Sequence, residues 1–184
     1  MMSWGDSPFG GVVLFLVALI EAAFFPLPPE VLLVTLVLGR PVLAWRFAAL
    51  GTAGAVSGSA VGYAIGWGLW GLADSLIYRI PGVGPEDFAA MALNYQQYGA
   101  LIVLLSALSP VPYTLVTVSA GVFGMNFGHF MLASALGRGT KFLLISALLW
   151  RFGPSIRPHL DKYPERIGLV LAALAVGLIL YAMI

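Results

Sequence analysis

Apolar residues run through this chain in stretches separated by prolines, glycines and scattered charges. Two stretches, 47–72 and 130–150, are long enough to cross a bilayer as helices, because a spanning helix needs about 20 apolar residues. The others are shorter, and the last falls slightly short of a full span: 11–25, 31–38, 99–109, 115–123 and 168–184. This pattern predicts an all-α integral membrane protein.

Paired prolines interrupt the short stretches at the same place in each half of the chain. A shift of 84 positions (110 − 26) carries Pro26-x-Pro28 onto Pro110-x-Pro112. Paired, proline-broken segments in corresponding positions are typical of transporters built from inverted repeats. The sequence therefore predicts an inverted repeat of a re-entrant helical hairpin plus a transmembrane helix. The four prolines form the hairpin tips, where freed backbone groups need a cavity lined by protein or water.

The whole chain, 1–184, forms a single membrane domain in this interpretation. Repeat 1 covers about 10–72, a linking surface segment covers 73–97, and repeat 2 covers about 98–150. A basic cytoplasmic loop and a last transmembrane helix occupy 151–184. Simple kinks in straight spanning helices are the alternative to the hairpins.

The charge distribution agrees with hairpins that return to their own side of the membrane. The opposite face then holds Arg79 with several acidic residues, and the basic residues gather on one face: Arg40, Arg46, Arg151, Arg157, Lys162 and Arg166. Basic loops stay in the cytoplasm. We therefore expect a multi-pass protein with a cytoplasmic N-terminus and a periplasmic or extracellular C-terminus.

The composition supports a membrane setting and narrows the chemistry. Hydrophobic residues make up 60% of the chain and charged residues only 9%, against about 25% charged in soluble domains. The net charge of +1 indicates no nucleic-acid partner, and the absence of cysteine excludes disulfides and thiolate metal sites. Because no phosphate loop, metal-ligand cluster or Ser/His/Asp arrangement is present, we expect no cofactor, no metal and no enzymatic activity.

Small residues mark one face of the stretch 47–72. Such a stripe lets a neighbouring helix backbone approach closely, and it predicts packing of helices rather than a nucleotide site. The glycines recur at helical spacing: Gly51, Gly54, Gly58, Gly62 and Gly66.

Two glutamates flank the first proline pair inside the predicted membrane region. A charge in hydrocarbon is costly, so residues such as Glu21 and Glu30 usually face a cavity or a partner. A carboxyl group removed from water exchanges protons closer to neutral pH than one in water. We therefore assign both glutamates to proton coupling. The alternative for Glu30 is a stabilising position at a helix N-terminus.

Two cations lie in the second long stretch. Arg138 falls near its middle, and Lys141, three positions on, shares the same helix face. Arginine offers a planar fork and lysine a point charge to an anionic oxygen, so both are assigned to substrate binding. Alternatively, Arg138 forms an ion pair with Glu21 or Glu30 that holds the repeats together, and Lys141 extends toward the membrane surface.

Hydroxyl and aromatic residues around the second break are assigned by position. Thr114 is added to the substrate site, because the helix N-terminus after the break favours an anion. The hydroxyls of Thr117 and Ser119 are expected to bond their own helix. Interface anchoring is the predicted role of Tyr113 and of several tryptophans: Trp45, Trp67, Trp70 and Trp150.

Three motifs carry a resemblance to a known family. They are Glu21-x4-Pro26-Leu27-Pro28-Pro29-Glu30, Ser109-Pro110-Val111-Pro112-Tyr113 with Ser119-Ala120-Gly121-Val122-Phe123-Gly124-Met125-Asn126, and Gly137-Arg138-Gly139-Thr140-Lys141-Phe142. They resemble the DedA family, also called the VTT-domain or SNARE-associated family, and the last two look closer to its YqaA-like branch. The resemblance covers nearly the whole chain up to Trp150.

The resemblance implies two opposed re-entrant hairpins in the bacterial cytoplasmic (inner) membrane. It also implies a part in moving lipids across bilayers, including undecaprenyl phosphate, with proton or sodium coupling proposed. Glu21 and Glu30 match the family's acidic pair, and Arg138 matches a basic position of the second half. The family's arginine near the second break is absent here, and Thr114 stands where YqaA-like proteins often have lysine.

The sequence thus favours a transporter or flippase for an anionic lipid of the undecaprenyl phosphate or phospholipid class. Its expected partners are membrane lipids, with the anionic headgroup as substrate, and a homo-oligomer is left open. One alternative is a structural or assembly membrane protein whose buried charges only pair with each other. Another is a small ion or solute exchanger.

Overall fold

The computed structural model describes residues 9–25, 28–69, 85–109 and 112–162, which are helical and contain no strand. A short 3-10 turn, Pro41–Leu43, leads into the third of the six α-helices formed by these residues. The helices are α1 (Gly10–Ala23), α2 (Pro29–Gly39), α3 (Ala44–Gly68), α4 (Pro85–Leu108), α5 (Tyr113–Val122) and α6 (Phe127–Lys162).

Two segments among the described residues are long and apolar enough to cross a membrane, Pro41–Gly68 with 28 residues and Phe127–Gly153 with 27. Less than half of the most apolar window of each segment, 44% and 39%, is buried inside the molecule, so much of its surface faces outward. On the second segment, large apolar side chains face outward: Leu132, Leu136, Leu143, Leu144 and Leu148. An exposed apolar surface of this kind indicates contact with lipid.

Both proline pairs separate a helix from a shorter one that follows. Pro28 is extended (φ −69°, ψ 100°) and precedes α2, and Pro112 is extended (φ −56°, ψ 116°) and precedes α5. Proline lacks a backbone donor and disfavours helical geometry in the residue before it, which accounts for helix ends at Ala23 and Leu108. The other predicted tip residues, Pro26 and Pro110, lie outside the described residues.

Two predicted boundaries differ from the structure. The boundary predicted between the linking surface segment, 73–97, and repeat 2, from about 98, falls inside the continuous helix α4. The loop expected from Arg151 is helical through Lys162, as far as the description extends. The loop was predicted from the basic residues of this stretch, and a basic composition is compatible with an exposed helix as well as with a loop.

The glycine face of α3 is the central packing surface, as predicted. A Cβ placed on Gly54 would lie 2.2 Å from the carbonyl oxygen of Phe15, and one on Gly58 would lie 2.2 Å from that of Leu19. Farther along, a Cβ on Gly66 would meet the backbone of α5. Because these atoms would overlap, only glycine allows α1 and α5 to approach α3 so closely.

The two long helices run antiparallel, with aromatic contacts at each end. The rings of Trp45 and Trp150 are 6.2 Å apart near the start of α3, and those of Tyr63 and Phe130 are 5.2 Å apart near its end. α1 packs on α3 and α4 on α6, while α5 crosses to α3 and α2 crosses to α6. Each long helix therefore contacts the short helix that follows the other half's proline break.

Candidate functional site

The intramembrane charges singled out by the sequence meet in one network. Glu21 lies near the end of α1 and Glu30 in the first turn of α2, on either side of the first proline break. Arg138 and Lys141 lie one turn apart in the middle of the apolar part of α6. The packing of α1, α2 and α6 brings opposite charges from distant parts of the chain together.

The innermost contact joins Arg138 to Glu21. The Arg138 Nη2 donates to both carboxylate oxygens of Glu21, at 2.8 Å to Oε1 and 2.7 Å to Oε2. The side chains are only 2% and 8% exposed. A buried charge needs a close partner, because the low-dielectric interior does not solvate it. This pair is therefore a fixed internal contact between the two halves of the chain.

The outer contact joins Lys141 to Glu30. The Lys141 Nζ lies 2.7 Å from Glu30 Oε1, and the same oxygen lies 3.7 Å from Arg138 Nη1. These two side chains are 22% and 23% exposed, well above the inner pair. One carboxylate oxygen thus lies between two cations at the accessible side of the network.

Tyr113 supports Arg138 from another side. The Arg138 guanidinium carbon lies 4.0 Å from the centre of the Tyr113 ring, which is a cation–π contact. The Tyr113 hydroxyl donates to Ser134 Oγ at 2.8 Å. Tyr113 is 1% exposed, so its predicted role as an interface anchor is wrong: the α5 start directs the ring inward. Among the described residues, Arg138 Nε has no hydrogen-bond partner.

Two threonines of α5 donate hydrogen bonds to backbone carbonyls in the last turn of α1. The Thr114 hydroxyl donates to the Glu21 carbonyl oxygen, and the Thr117 hydroxyl donates to the Ala22 carbonyl oxygen at 2.8 Å. The last carbonyls of a helix lack partners within it, and lipid offers none. These hydroxyls therefore hold α1, and with it Glu21, against the helix that follows the second break. The assignment of Thr114 to substrate binding stays a prediction.

Sequence reasoning missed the roles of Tyr113, Thr117 and Ser134. Thr117 also bonds its own helix, at 2.9 Å to the Thr114 carbonyl oxygen, as expected of a helical threonine. Nothing in the local pattern distinguishes that bond from the one to α1. The available signal was position, since Tyr113 and Thr117 both follow the second break within about one helical turn.

Comparisons with known proteins find one family and two similar chains. The family model described as "VTT domain" matches residues 25–151, which include most of the network. An uncharacterized protein of Haemophilus influenzae is 33% identical over 176 residues, covering 95% of this chain and 90% of the relative. An uncharacterized protein of Histophilus somni is 32% identical over 182 residues, covering 97% and 94%. No solved structure matches.

The fold and the apolar surface define an all-helical membrane protein. Within that class, the chain belongs to the VTT-domain family, also known as the DedA family.

Proposed function

We propose that this protein is a transporter that moves an anionic lipid across the bacterial inner membrane, and that it is not an enzyme. The observation that carries the proposal is the paired but partly accessible network of Glu21, Glu30, Arg138 and Lys141 beside both proline breaks. Intramembrane charges of this kind usually mark a substrate or ion pathway. VTT-domain membership is consistent with transport.

The proposal includes two re-entrant hairpins. α1, α2 and α5 have 14, 11 and 10 residues, or about 21, 17 and 15 Å at 1.5 Å per residue. Each is shorter than a hydrocarbon core of about 30 Å. In the proposed hairpins, α1 and α2 meet at the first break in the membrane interior, which brings the charges to the middle of the bilayer. The second hairpin joins the apolar end of α4 to α5, and the 24 residues of α4 also include the more polar stretch from Pro85.

The two hairpins belong to an inverted repeat. A shift of 84 carries Pro29, the first residue of α2, onto Tyr113, the first residue of α5. The same shift carries Ala44, the first residue of α3, to position 128, one residue after α6 begins. The helix contacts have the same symmetry, because α2 of the first half packs on α6 and α5 of the second half packs on α3. In this arrangement the shared end of Arg40, Arg46 and Arg151 faces the cytoplasm.

In transport, Arg138 and Lys141 bind the anionic headgroup, and Glu30, the more accessible glutamate, takes up a proton when the headgroup arrives and releases it when the headgroup departs. The lipid tail stays in the bilayer beside the exposed apolar surface. Liposomes with a labelled phosphatidic acid provide the test. We expect wild-type protein to accelerate translocation over protein-free liposomes, and Glu21→Gln and Arg138→Ala to abolish the acceleration. Wild-type rates in both variants would end the proposal.

A second candidate is a structural or assembly protein of the membrane. The observation that favours it is the mutual pairing of the network: each of its four charges has an opposite charge within 4.0 Å. Such a protein would tolerate a charge-balanced replacement of the inner pair, whereas a transporter would not. A small ion or solute exchanger is distinguished by flux that needs no lipid substrate.

A further inference from the structure

The two glutamates of the network differ in accessibility and in support. Glu21 is 8% exposed and receives both bonds from Arg138 Nη2. Glu30 is 23% exposed and touches Arg138 only at 3.7 Å. The network therefore has a buried end at Glu21 and a partly exposed end at Glu30.

Contacts with neighbouring helices hold the backbone around Glu21, whereas Glu30 is held mainly by its ion pair with the Lys141 side chain. α1 lies against the glycine face of α3, where a Cβ on Gly58 would overlap Leu19. Its last turn is bonded by Thr114 and Thr117 from α5. These contacts hold the backbone that carries Glu21 beside Arg138. Glu30 makes its closest ionic contact with Lys141, whose side chain is long and partly exposed.

The position of Glu30 Oε1 is the position an anionic ligand needs. It lies 2.7 Å from Lys141 Nζ and 3.7 Å from Arg138 Nη1. An oxygen of a phosphate group placed there would meet the same two cations. The headgroup oxygen and Glu30 Oε1 cannot occupy this position together, because they would overlap and their negative charges would repel each other.

We propose that the Glu30 carboxylate is an internal competitor of the substrate. It occupies the site of a headgroup oxygen between Lys141 and Arg138 and must leave when the lipid binds, whereas Glu21 stays paired with Arg138 throughout. This inference rests on the proposed transport of an anionic lipid and assigns different roles to the two glutamates. Glu21 positions the arginine, and Glu30 sets how tightly the site holds the headgroup.

The test measures binding of a fluorescent short-chain phosphatidic acid to the full chain in phosphatidylcholine nanodiscs. Glu30→Gln removes the charge of the side chain but keeps its shape. We expect this variant to bind the probe about tenfold more tightly than wild type, which corresponds to a wild-type site that Glu30 leaves free in about a tenth of the molecules. Glu21→Gln gains nothing, because Arg138 loses its positioning partner. Glu86→Gln, at an exposed site on α4, is the matched control and binds as wild type does.

Equal or weaker binding by a folded Glu30→Gln protein overturns the inference, and wild-type transport would then still support the proposed function. If neither the wild type nor any variant binds the probe, both fall. Should Glu30→Gln not fold, Glu30→Asp keeps the charge on a side chain one methylene shorter. We expect it to bind the probe more tightly than wild type, and unchanged or weaker binding contradicts the inference.

Discussion

The Glu21 carboxylate and the Arg138 guanidinium, 117 positions apart in the sequence, meet at 2.7 and 2.8 Å in the interior of the protein. One lies just before the first proline break, and the other lies in the middle of the second long helix. The pair therefore joins the first proline break to the middle of the long helix of the second half. Among the described residues, Arg138 is the only cation within 4.0 Å of both glutamates that flank this break.

Removing one member of this pair should destabilise the protein strongly. Arg138→Gln leaves the Glu21 carboxylate buried without a countercharge, and breaking such pairs costs about 3–5 kcal/mol. The double variant Glu21→Gln/Arg138→Gln should lose less stability than the sum of the single variants, because no unpaired charge remains. Thermal unfolding in one detergent measures all three. Additive losses would show that the pair is not energetically coupled.

Close packing at the glycine face gives a second prediction. Gly58→Ala should destabilise the protein by about 1–3 kcal/mol, as expected for overpacking, because its Cβ would lie 2.2 Å from the Leu19 carbonyl oxygen. Gly68→Ala is the matched control on the same helix, since nothing lies within 4 Å of its added Cβ. Equal melting temperatures for the two variants would contradict the packing described for α1 and α3.

The hydroxyl bonds to the end of α1 give a third prediction. Thr117→Val keeps the shape of the side chain but leaves the Ala22 carbonyl oxygen without that donor, at a cost of about 1–3 kcal/mol. Thr52→Val is the control, because the Thr52 hydroxyl bonds only its own helix at Ala48. The difference in unfolding temperature between the variants reports the bond across helices. A smaller loss in Thr117→Val than in Thr52→Val would rule out this cap.

Two variants of Tyr113 separate the contributions of its ring and its hydroxyl. Tyr113→Phe keeps the ring at Arg138 but removes the bond to Ser134, so we expect a loss of about 1 kcal/mol in stability and transport near wild type. Tyr113→Leu also removes the cation–π contact and should reduce transport severalfold, because the guanidinium loses one of its supports. Transport in liposomes, with unfolding as the folding control, checks both. Full transport by Tyr113→Leu would show that the ring does not position Arg138.

The sequence was sufficient for the broad architecture because its signals are local. The length of an apolar run shows which helices can span a membrane, and proline at Pro28 and Pro112 shows where a helix must begin. The continuity of α4 and of α6 past Arg151 was not predictable in this way. The polar or basic composition of these stretches favours an exposed segment, but it does not show whether the neighbouring helix continues through it.

The site was predictable as a set of charges but not as an arrangement. From the sequence, Arg138 could pair with either glutamate, and the structure shows Glu21 as the inner partner at 2.7 Å and Glu30 as the more distant one at 3.7 Å. Thr117 and Tyr113 carried no distinguishing pattern, because a hydroxyl or a ring acquires its role from the helix opposite. Contacts between residues far apart in the sequence depend on tertiary packing, which local periodicity does not encode.

The most direct test of the transport proposal uses the charge-balanced double variant Glu21→Gln/Arg138→Gln, reconstituted in liposomes once its folding has been verified by thermal unfolding. Translocation of labelled phosphatidic acid is measured beside wild-type protein and protein-free liposomes. If the network carries the headgroup, the folded double variant moves the lipid no faster than protein-free liposomes do. If the folded double variant moves it at the wild-type rate, the buried pair serves structure alone and the transport account is contradicted.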